Sequence, residues 1–345
     1  MRSIELLCTG TGELEWHEYQ DPCLSSGQVK VESRYSVSKH GTEMALYKGY
    51  EMARGGYDED TQLFAGTPSS DYYPVPVGNM FVGQVVERHP DVTEFRVGDM
   101  VFGHGGFRST HVVPALDCRK MAAGMSWKTA LCIDPAEFAL SAVRDAGVRV
   151  GDNVAVFGLG AIGLMVVQLL GLAGVRSIIG VDPLPKRRDI ARHCGADHLL
   201  APDDIDAGRE IKLLTGGLGA DVCIEFSGSR SGLQHALRGV AFGGAVAAGA
   251  YPGPYDAGLD FGAEAHWNRP NLIFTRACSD PNRDHPRWDD RRIIDTCHDL
   301  LAGGKLSGDH IVTPVVRFDE LLDEYPNIAR DPDNYIKLGV EHARA

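Results

Sequence analysis

The sequence contains no C-x-x-C pair. Its eight cysteines, at positions 8, 23, 118, 132, 194, 223, 278 and 297, stand singly. That pattern reads as reduced thiols of a cytoplasmic protein, several serving as small core residues, and excludes a small disulfide-stapled scaffold. The opening Met1-Arg2-Ser3-Ile4-Glu5 lacks the apolar run of a signal peptide. The most apolar stretch, Ala155 to Val175, is broken by five glycines and has no flanking charges, so it does not read as a membrane span. Positive charge is also short. The 34 Lys and Arg residues face 47 Asp and Glu, leaving a formal net charge of -13 that repels phosphate backbones and anionic lipid. Neither nucleic acid nor a membrane surface is an expected partner. Repeats and low-complexity tracts are absent.

What remains is a globular composition, 43% hydrophobic and 23% charged over 345 residues, enough for two domains with sizeable cores. Residues 1 to about 120 hold short strand-like runs separated by turns. Examples are Gln28 to Glu32, Val82 to Glu87 and Met100 to Phe102, with Arg96-Val97-Gly98-Asp99 as a turn. The stretch from Tyr50 to Tyr73, rich in Gly, Asp, Ser and Thr, reads as a long loop, either a binding lid or a surface insertion. From about residue 130 strands and helices alternate. Strands are expected at Asn153 to Phe157, Ser177 to Val181, Asp221 to Phe226 and Gly244 to Ala250, with Asn271 to Thr275 a candidate sixth. Helices are expected at Ile162 to Leu172 and Lys186 to Cys194. This alternation predicts an α/β unit with a doubly wound parallel sheet.

The most informative run is Val154 to Gly163. Its Gly158-Leu159-Gly160-Ala161-Ile162-Gly163 follows a strand and opens a helix, the context in which G-x-G-x-x-G marks a dinucleotide-binding Rossmann turn. Gly158 permits the tight turn, Gly160 lets the backbone approach a pyrophosphate, and Gly163 lets helix and strand pack closely. The helix N-terminus offers N–H groups to the phosphates. Asp182 ends the next strand, where an acid accepts ribose hydroxyls and repels a 2′-phosphate, so NAD is the expected cofactor. Lys186, Arg187 and Arg188 soften that preference, and Arg187 and Ser227 are further candidate cofactor contacts. Glycines 228, 243 and 244 are expected at later strand ends on the nicotinamide side.

In this order the pieces resemble the medium-chain dehydrogenase/reductase family over nearly the whole chain. Lys39-His40-Gly41-Thr42-Glu43 is similar to its C-G-[ST]-D segment. Pro74 to Gly83 is similar to P-x-x-x-G-H-E-x-x-G, and Phe95 to Val101 to F-x-x-G-D-x-V. Ile133-Asp134-Pro135 resembles the E-P pair of polyol dehydrogenases. The resemblance implies a GroES-like catalytic domain (1–125), a Rossmann domain (126–277), a C-terminal return to the first (278–345), and a homodimer or homotetramer. Asn271 to Thr275 could extend a sheet across a dimer axis. Carrying over the family's zinc ligands gives His40, Asn79 and Asp134, with Met80 in place of a glutamate. The thiolate is missing, Asn is a poor zinc ligand, and the four-cysteine structural lobe is absent, so no bound metal is expected. Locally the chain is similar to zinc-lacking relatives such as the bacteriochlorophyllide hydroxyethyl dehydrogenase.

Without zinc, oxidation needs a base near the nicotinamide. His40 is the candidate, with Thr42 at the family's proton-relay position; the lesser alternative is a hydrogen-bonded turn residue. Asn79 and Asp134 would hold hydroxyls of a small polyhydroxylated substrate, although Asp134 could instead cap a helix. Glu137 lies one turn after Asp134. Glu43 is either structural or catalytic, His104 and His111 read as packing residues, and Trp267 and Trp288 as pocket walls or buried contacts. The expected activity is an NAD-dependent sugar, cyclitol or polyol dehydrogenase. Competing readings are a zinc-free quinone or enoyl reductase, disfavoured by Asp182, and a non-catalytic NAD(H)-binding regulator.

Overall fold

The computed structural model describes residues 3–50, 54–66, 72–279 and 281–343. In chain order the first part holds β1 (Ser3–Gly10), β2 (Glu13–Tyr19), β3 (Gln28–Val37), α1 (His40–Tyr47), β4 (Tyr57–Asp58), β5 (Leu63–Phe64), β6 (Val75–Pro76), β7 (Met80–Arg88), β8 (Met100–His104), β9 (Thr110–Pro114), β10 (Arg119–Lys120) and α2 (Trp127–Ala130). The middle part holds α3 (Ile133–Asp145), β11 (Asn153–Phe157), α4 (Ala161–Ala173), β12 (Ser177–Val181), α5 (Pro185–His193), β13 (His198–Leu200), α6 (Ala207–Leu214), β14 (Ala220–Glu225), α7 (Arg230–Gly239), β15 (Val240–Ala248), α8 (Glu264–Asn268), β16 (Asn271–Phe274) and α9 (Asp290–Ala302). β17 (Val312–Arg317), α10 (Leu321–Glu324), α11 (Asn327–Arg330) and β18 (Lys337–Glu341) follow.

Two compact units result, residues 1–131 with 312–345, and residues 132–311. The sequence reading drew its lines after residues 125 and 277. The second line differs because α9 packs on α3, and Arg144 at the end of α3 stacks on Trp288 with its guanidinium 3.6 Å from the ring centre. Trp288 is therefore a stacking partner between Arg144 and Arg292, whereas Trp267 is 77% exposed.

In the first unit the main sheet runs β10-β8-β7-β3-β18-β17, with β9 also pairing β3. Alternation along β3 turns Val29, Val31 and Val37 inward. Phe95 precedes the expected turn Arg96-Val97-Gly98-Asp99, which is closed by the Asp99 N–H on the Arg96 carbonyl at 3.1 Å. Leu321, Tyr325, Ile328, Tyr335, Leu338 and Val340 bury against Met44, Tyr47 and Phe107. Each such side chain contributes about 1.5–3 kcal/mol, which is what welds the chain's last strands to α1. His111 lies inside β9 and stacks on Phe81 at 3.8 Å, as a packing residue. Of the expected loop from Tyr50 to Tyr73, residues 51–53 and 67–71 lie outside the described residues; the β4–β5 hairpin occupies part of the rest.

The second unit is a six-stranded parallel sheet, β13-β12-β11-β14-β15-β16, with helices between the strands. β13, three residues long, carries too little pattern to be seen in sequence. β15 begins at Val240, earlier than expected, and pairs Ala245–Ala248 with Val222–Glu225. Gly243 and Gly244 therefore sit in the irregularity between the Val240–Ala220 and Ala245–Val222 pairs, in the half of β15 away from its C-terminal end. The expected placement on the nicotinamide side is corrected, while Gly228, after β14, keeps it.

Candidate functional site

In the second unit the glycine turn is built as its motif requires. Gly158 has φ +84°, and a Cβ there would stand 2.5 Å from the Ser227 nitrogen. A Cβ on Gly163 would stand 1.9 Å from the Gly158 carbonyl oxygen. Gly160 is different: a Cβ there meets nothing within 4 Å. Gly160 is also the N-cap of α4 and has no side-chain cap. The open space above it and the uncapped N–H groups beginning at Ala161 and Ile162 fit a pyrophosphate.

Asp182 is buried at the end of β12. Its Oδ2 accepts the Leu159 N–H at 2.7 Å and its Oδ1 the Leu184 N–H at 2.9 Å. This carboxylate thus ties the glycine turn to the following loop, and its other lone pairs remain for ribose hydroxyls. Arg187 stands 3.7 Å away. Arg188 is spent on the carbonyls of Asp182 and Pro183, at 2.7 and 2.6 Å. Glu225, which sequence reading did not single out, ends β14 at 1% exposure. Its Oε1 accepts the Ser227 hydroxyl, the Ser227 N–H at 2.6 Å and the Gly228 N–H at 3.0 Å. Burial pushes its carboxyl above the usual range against the lowering by these bonds. Ser227 is therefore held in place by Glu225, beside Gly158. An acid closing a strand before Ser-Gly-Ser was the available signal.

Asp134 and Glu137 are both buried in α3. The N-cap of α3 is Cys132, not Asp134, so the capping alternative does not hold. Burial pushes the Cys297 thiol up to about 12, with the Glu137 charge adding to it. Glu137 accordingly faces α9.

The first unit holds His40, Thr42 and Asn79 of the expected substrate residues, whereas Asp134 and Glu137 belong to the second. His40 and Thr42 open α1, with Thr42 exposed and Glu43 turned inward. Glu43 accepts the Lys39 N–H, the Gly78 N–H at 3.1 Å and the Tyr325 hydroxyl at 2.7 Å. It thereby grips the residues preceding His40 and Asn79, which makes it a positioning residue. Burial raises its carboxyl, while those bonds and the Lys337 charge lower it. The His40 Nε2 accepts the Leu338 N–H at 2.9 Å, so the neutral ring carries its proton on Nδ1. That bond occupies the lone pair a base would use. Asn79 is anchored through its main chain to Val37 at 2.8 Å, while its Nδ2 is buried without a hydrogen-bond partner.

The donor set does not fit a zinc ion. Met80 is a buried apolar side chain, Asn79 offers an amide, and one His40 nitrogen is taken by a backbone N–H. Among the described residues no group of three or more His, Cys, Asp or Glu side chains is placed to hold a metal. No helix among them is long and apolar enough to cross a membrane.

A parallel sheet with a glycine turn, an open helix N-terminus and a strand-end acid defines an NAD(P)-binding oxidoreductase. Residues 161–269 match the family model described as zinc-binding dehydrogenase. A D-guloside 3-dehydrogenase from Escherichia coli (strain K12) is 44% identical over 336 residues, covering 94% of this chain and 95% of that protein. The chain belongs to this medium-chain, zinc-binding dehydrogenase family, as a member lacking the usual zinc ligands. Solved structures share the fold end to end. An Escherichia coli oxidoreductase/dehydrogenase of unknown specificity involved in membrane biogenesis superposes with TM-score 0.82 at 16% identity, covering 100% of both chains. The 2R,3R-butanediol dehydrogenase of Bacillus subtilis gives 0.77 at 22%, covering 98% of this chain and 99% of that one.

Proposed function

We infer that the protein is an NAD-dependent, zinc-independent dehydrogenase that oxidises a secondary alcohol of a sugar or glycoside. The observation that carries this reading is the full-length similarity to a D-guloside 3-dehydrogenase. The polar groups of the first unit at positions matching the family's zinc ligands support it, since His40 and Asn79 suit a ligand with several hydroxyls. NAD bound at the glycine turn supplies the hydride acceptor. Preference for NAD over NADP rests on the Asp182 carboxylate and on Arg188, whose guanidinium is already committed to carbonyls. His40 orients the reacting oxygen. Its Nε2 would take the hydroxyl proton as base once the Leu338 bond breaks. Asn79 donates to a second oxygen of the substrate.

The test is NADH formation by chelator-treated protein with NAD and a panel of methyl hexosides, cyclitols and simple alcohols. Turnover on a hexoside is expected to survive metal removal, and His40→Ala to lower kcat by about 100-fold or more. Activity abolished by chelation and restored by zinc would sink the metal-free reading. Reduction of quinones or enones, with no alcohol oxidised, would favour a reductase. NADH binding without turnover on any of these would favour a regulator.

The eight singly placed cysteines and the net charge of -13 support a cytoplasmic protein with a small-molecule partner and neither nucleic acid nor membrane. Strand β16 is the edge of its sheet, and Phe274 on it is 71% exposed. A homodimer or homotetramer built on that edge follows, with light scattering as its check; a monomer would remove it.

A further inference from the structure

The antiparallel ladder between β18 and β3 ends in an exchange of partners. Its register pairs Gly339 with Val37, Val340 with Ser36 and Glu341 with Tyr35. One step further, the Ser38 N–H donates to the Leu338 carbonyl at 3.1 Å. In a regular antiparallel ladder two residues bonded in this way return the bond, each N–H going to the other's carbonyl. Here the return bond is replaced. The Ser38 carbonyl accepts the Lys337 ammonium at 2.7 Å, and the Leu338 N–H donates instead to His40 Nε2 at 2.9 Å. Lys337 is 3% exposed. A cation so enclosed needs close partners, and an ammonium donates to a carbonyl more strongly than an amide does. The side chain of Lys337 has thus taken the acceptor that belonged to the Leu338 main chain, and the displaced N–H has moved on to the imidazole.

That bond acts on the state of His40. A nitrogen that accepts from a backbone N–H is itself unprotonated, whereas imidazolium donates from both nitrogens. The bond therefore holds the ring neutral, with its proton on Nδ1, the form in which a base must wait. The charged and titratable groups about this turn are Lys39, the N-cap of α1, Glu43 on α1, Lys337 on β18, and Tyr325, whose hydroxyl donates to Glu43 at 2.7 Å. A Glu43 carboxylate favours imidazolium by charge, and the two lysines oppose it. Lys337 opposes it a second time, by directing the hydrogen bond. We propose that Lys337 is a positioning residue for the base: by occupying the Ser38 carbonyl it commits the Leu338 N–H to His40 and so sets the tautomer of the ring. When a substrate hydroxyl displaces that N–H from Nε2, the second lone pair of the Ser38 carbonyl receives it. This rests on the reading of His40 as base and goes beyond it by naming what holds that base neutral and where its resting donor goes.

The experiment uses the full chain as wild type, Lys337→Met and Lys337→Arg. It reads the ring nitrogens by 15N-histidine spectra, with His40→Ala to assign the signals, and the pH profile of kcat/KM with NAD on a methyl hexoside. Wild type shows His40 as the Nδ1–H tautomer at neutral pH. Lys337→Met, which returns the Ser38 carbonyl to the Leu338 N–H, shows mixed tautomers. It also raises the acid limb of kcat/KM by about one pH unit, since imidazolium is opposed by neither bond nor charge. Lys337→Arg, which keeps charge and donor, restores both the tautomer and the limb. Lys337→Gln, uncharged and one bond shorter, carries the same sign as Lys337→Met and stands in for it if that protein does not fold. A wild-type His40 protonated on Nε2 overturns the proposal without any variant. So does an unchanged tautomer and limb in Lys337→Met, even with a lowered melting point, because Lys337 would then serve the fold alone. If His40→Ala oxidises the hexoside at the wild-type rate, or the wild type oxidises no hexoside, the functional reading falls; the spectra need no turnover and still decide whether Lys337 sets the ring.

Discussion

Buried polar groups at the cofactor turn of the second unit and at the substrate turn of the first are held differently. At the cofactor edge of the second unit, the buried carboxylates already hold the turns that a ligand will meet: Asp182 accepts two backbone N–H groups and Glu225 three hydrogen bonds. At the substrate turn of the first unit, Glu43 is equally satisfied, yet Ser38 and Asn79 are not. The two carboxylates of the cofactor turn hold their backbone before any ligand arrives. A dinucleotide has a constant shape that rigid backbone can anticipate, whereas discrimination among sugars needs groups that suffer when the wrong hydroxyl is absent.

The largest break in this contrast should come from acid. Burial, with the Arg34 charge, holds His342 down to about 3, and burial pushes His111 well below its ordinary value. Both are in the first unit. The unfolded chain takes up these protons first, so stability is full above about pH 6.5 and falls as pH drops. For His342 the slope is about 1.4 kcal/mol per pH unit, reaching about 5 kcal/mol near pH 3. Hydrogen exchange at pH 7 and pH 5 should show the β3–β18 region losing protection, and His342→Gln should flatten the change. An equal loss in both units would remove the contrast.

Next in size is Gly163→Ala, whose Cβ would meet the Gly158 carbonyl at 1.9 Å. A loss of about 4 kcal/mol in stability is expected, with NADH binding gone, as read by denaturation and fluorescence titration. Tyr325→Phe removes one donor from the buried Glu43 carboxylate and should cost about 2 kcal/mol. It should lower hexoside kcat/KM while leaving the NADH dissociation constant unchanged, a separation that a general loss of folding would not produce. Asp182→Ser should shift the NADP-to-NAD ratio of kcat/KM by about tenfold or more towards NADP. The smallest effect on stability belongs to Gly160→Ala, with open space at its Cβ. Its melting point should move little, yet NADH should bind weakly, because the space is needed for the ligand and not for the fold.

The same contrast explains what could be read in the sequence. The glycine turn is local: strand, turn, helix and acid fall within 30 residues, Gly163 answers to Gly158 and Gly160 to open space, and Gly158 alone also meets a distant residue, Ser227. The substrate half is assembled across distance. Glu43 meets Tyr325 over 282 positions, His40 meets Leu338 over 298, and Ser36 meets His342 over 306. Periodicity carries no trace of such pairs. His40 could be picked out as chemically apt, but nothing local showed that its ring nitrogen was taken.

The bond from Leu338 to His40 also bears on synthesis. Residues 132–311 form the whole second unit, so the cofactor fold can close while later residues are still being added. The turn carrying His40, made among the first, waits for β18 to emerge and pair with β3. A growing chain can therefore grasp its dinucleotide well before it can hold a sugar, and a message cut short ahead of Lys337 would leave a protein that sequesters cofactor without consuming it.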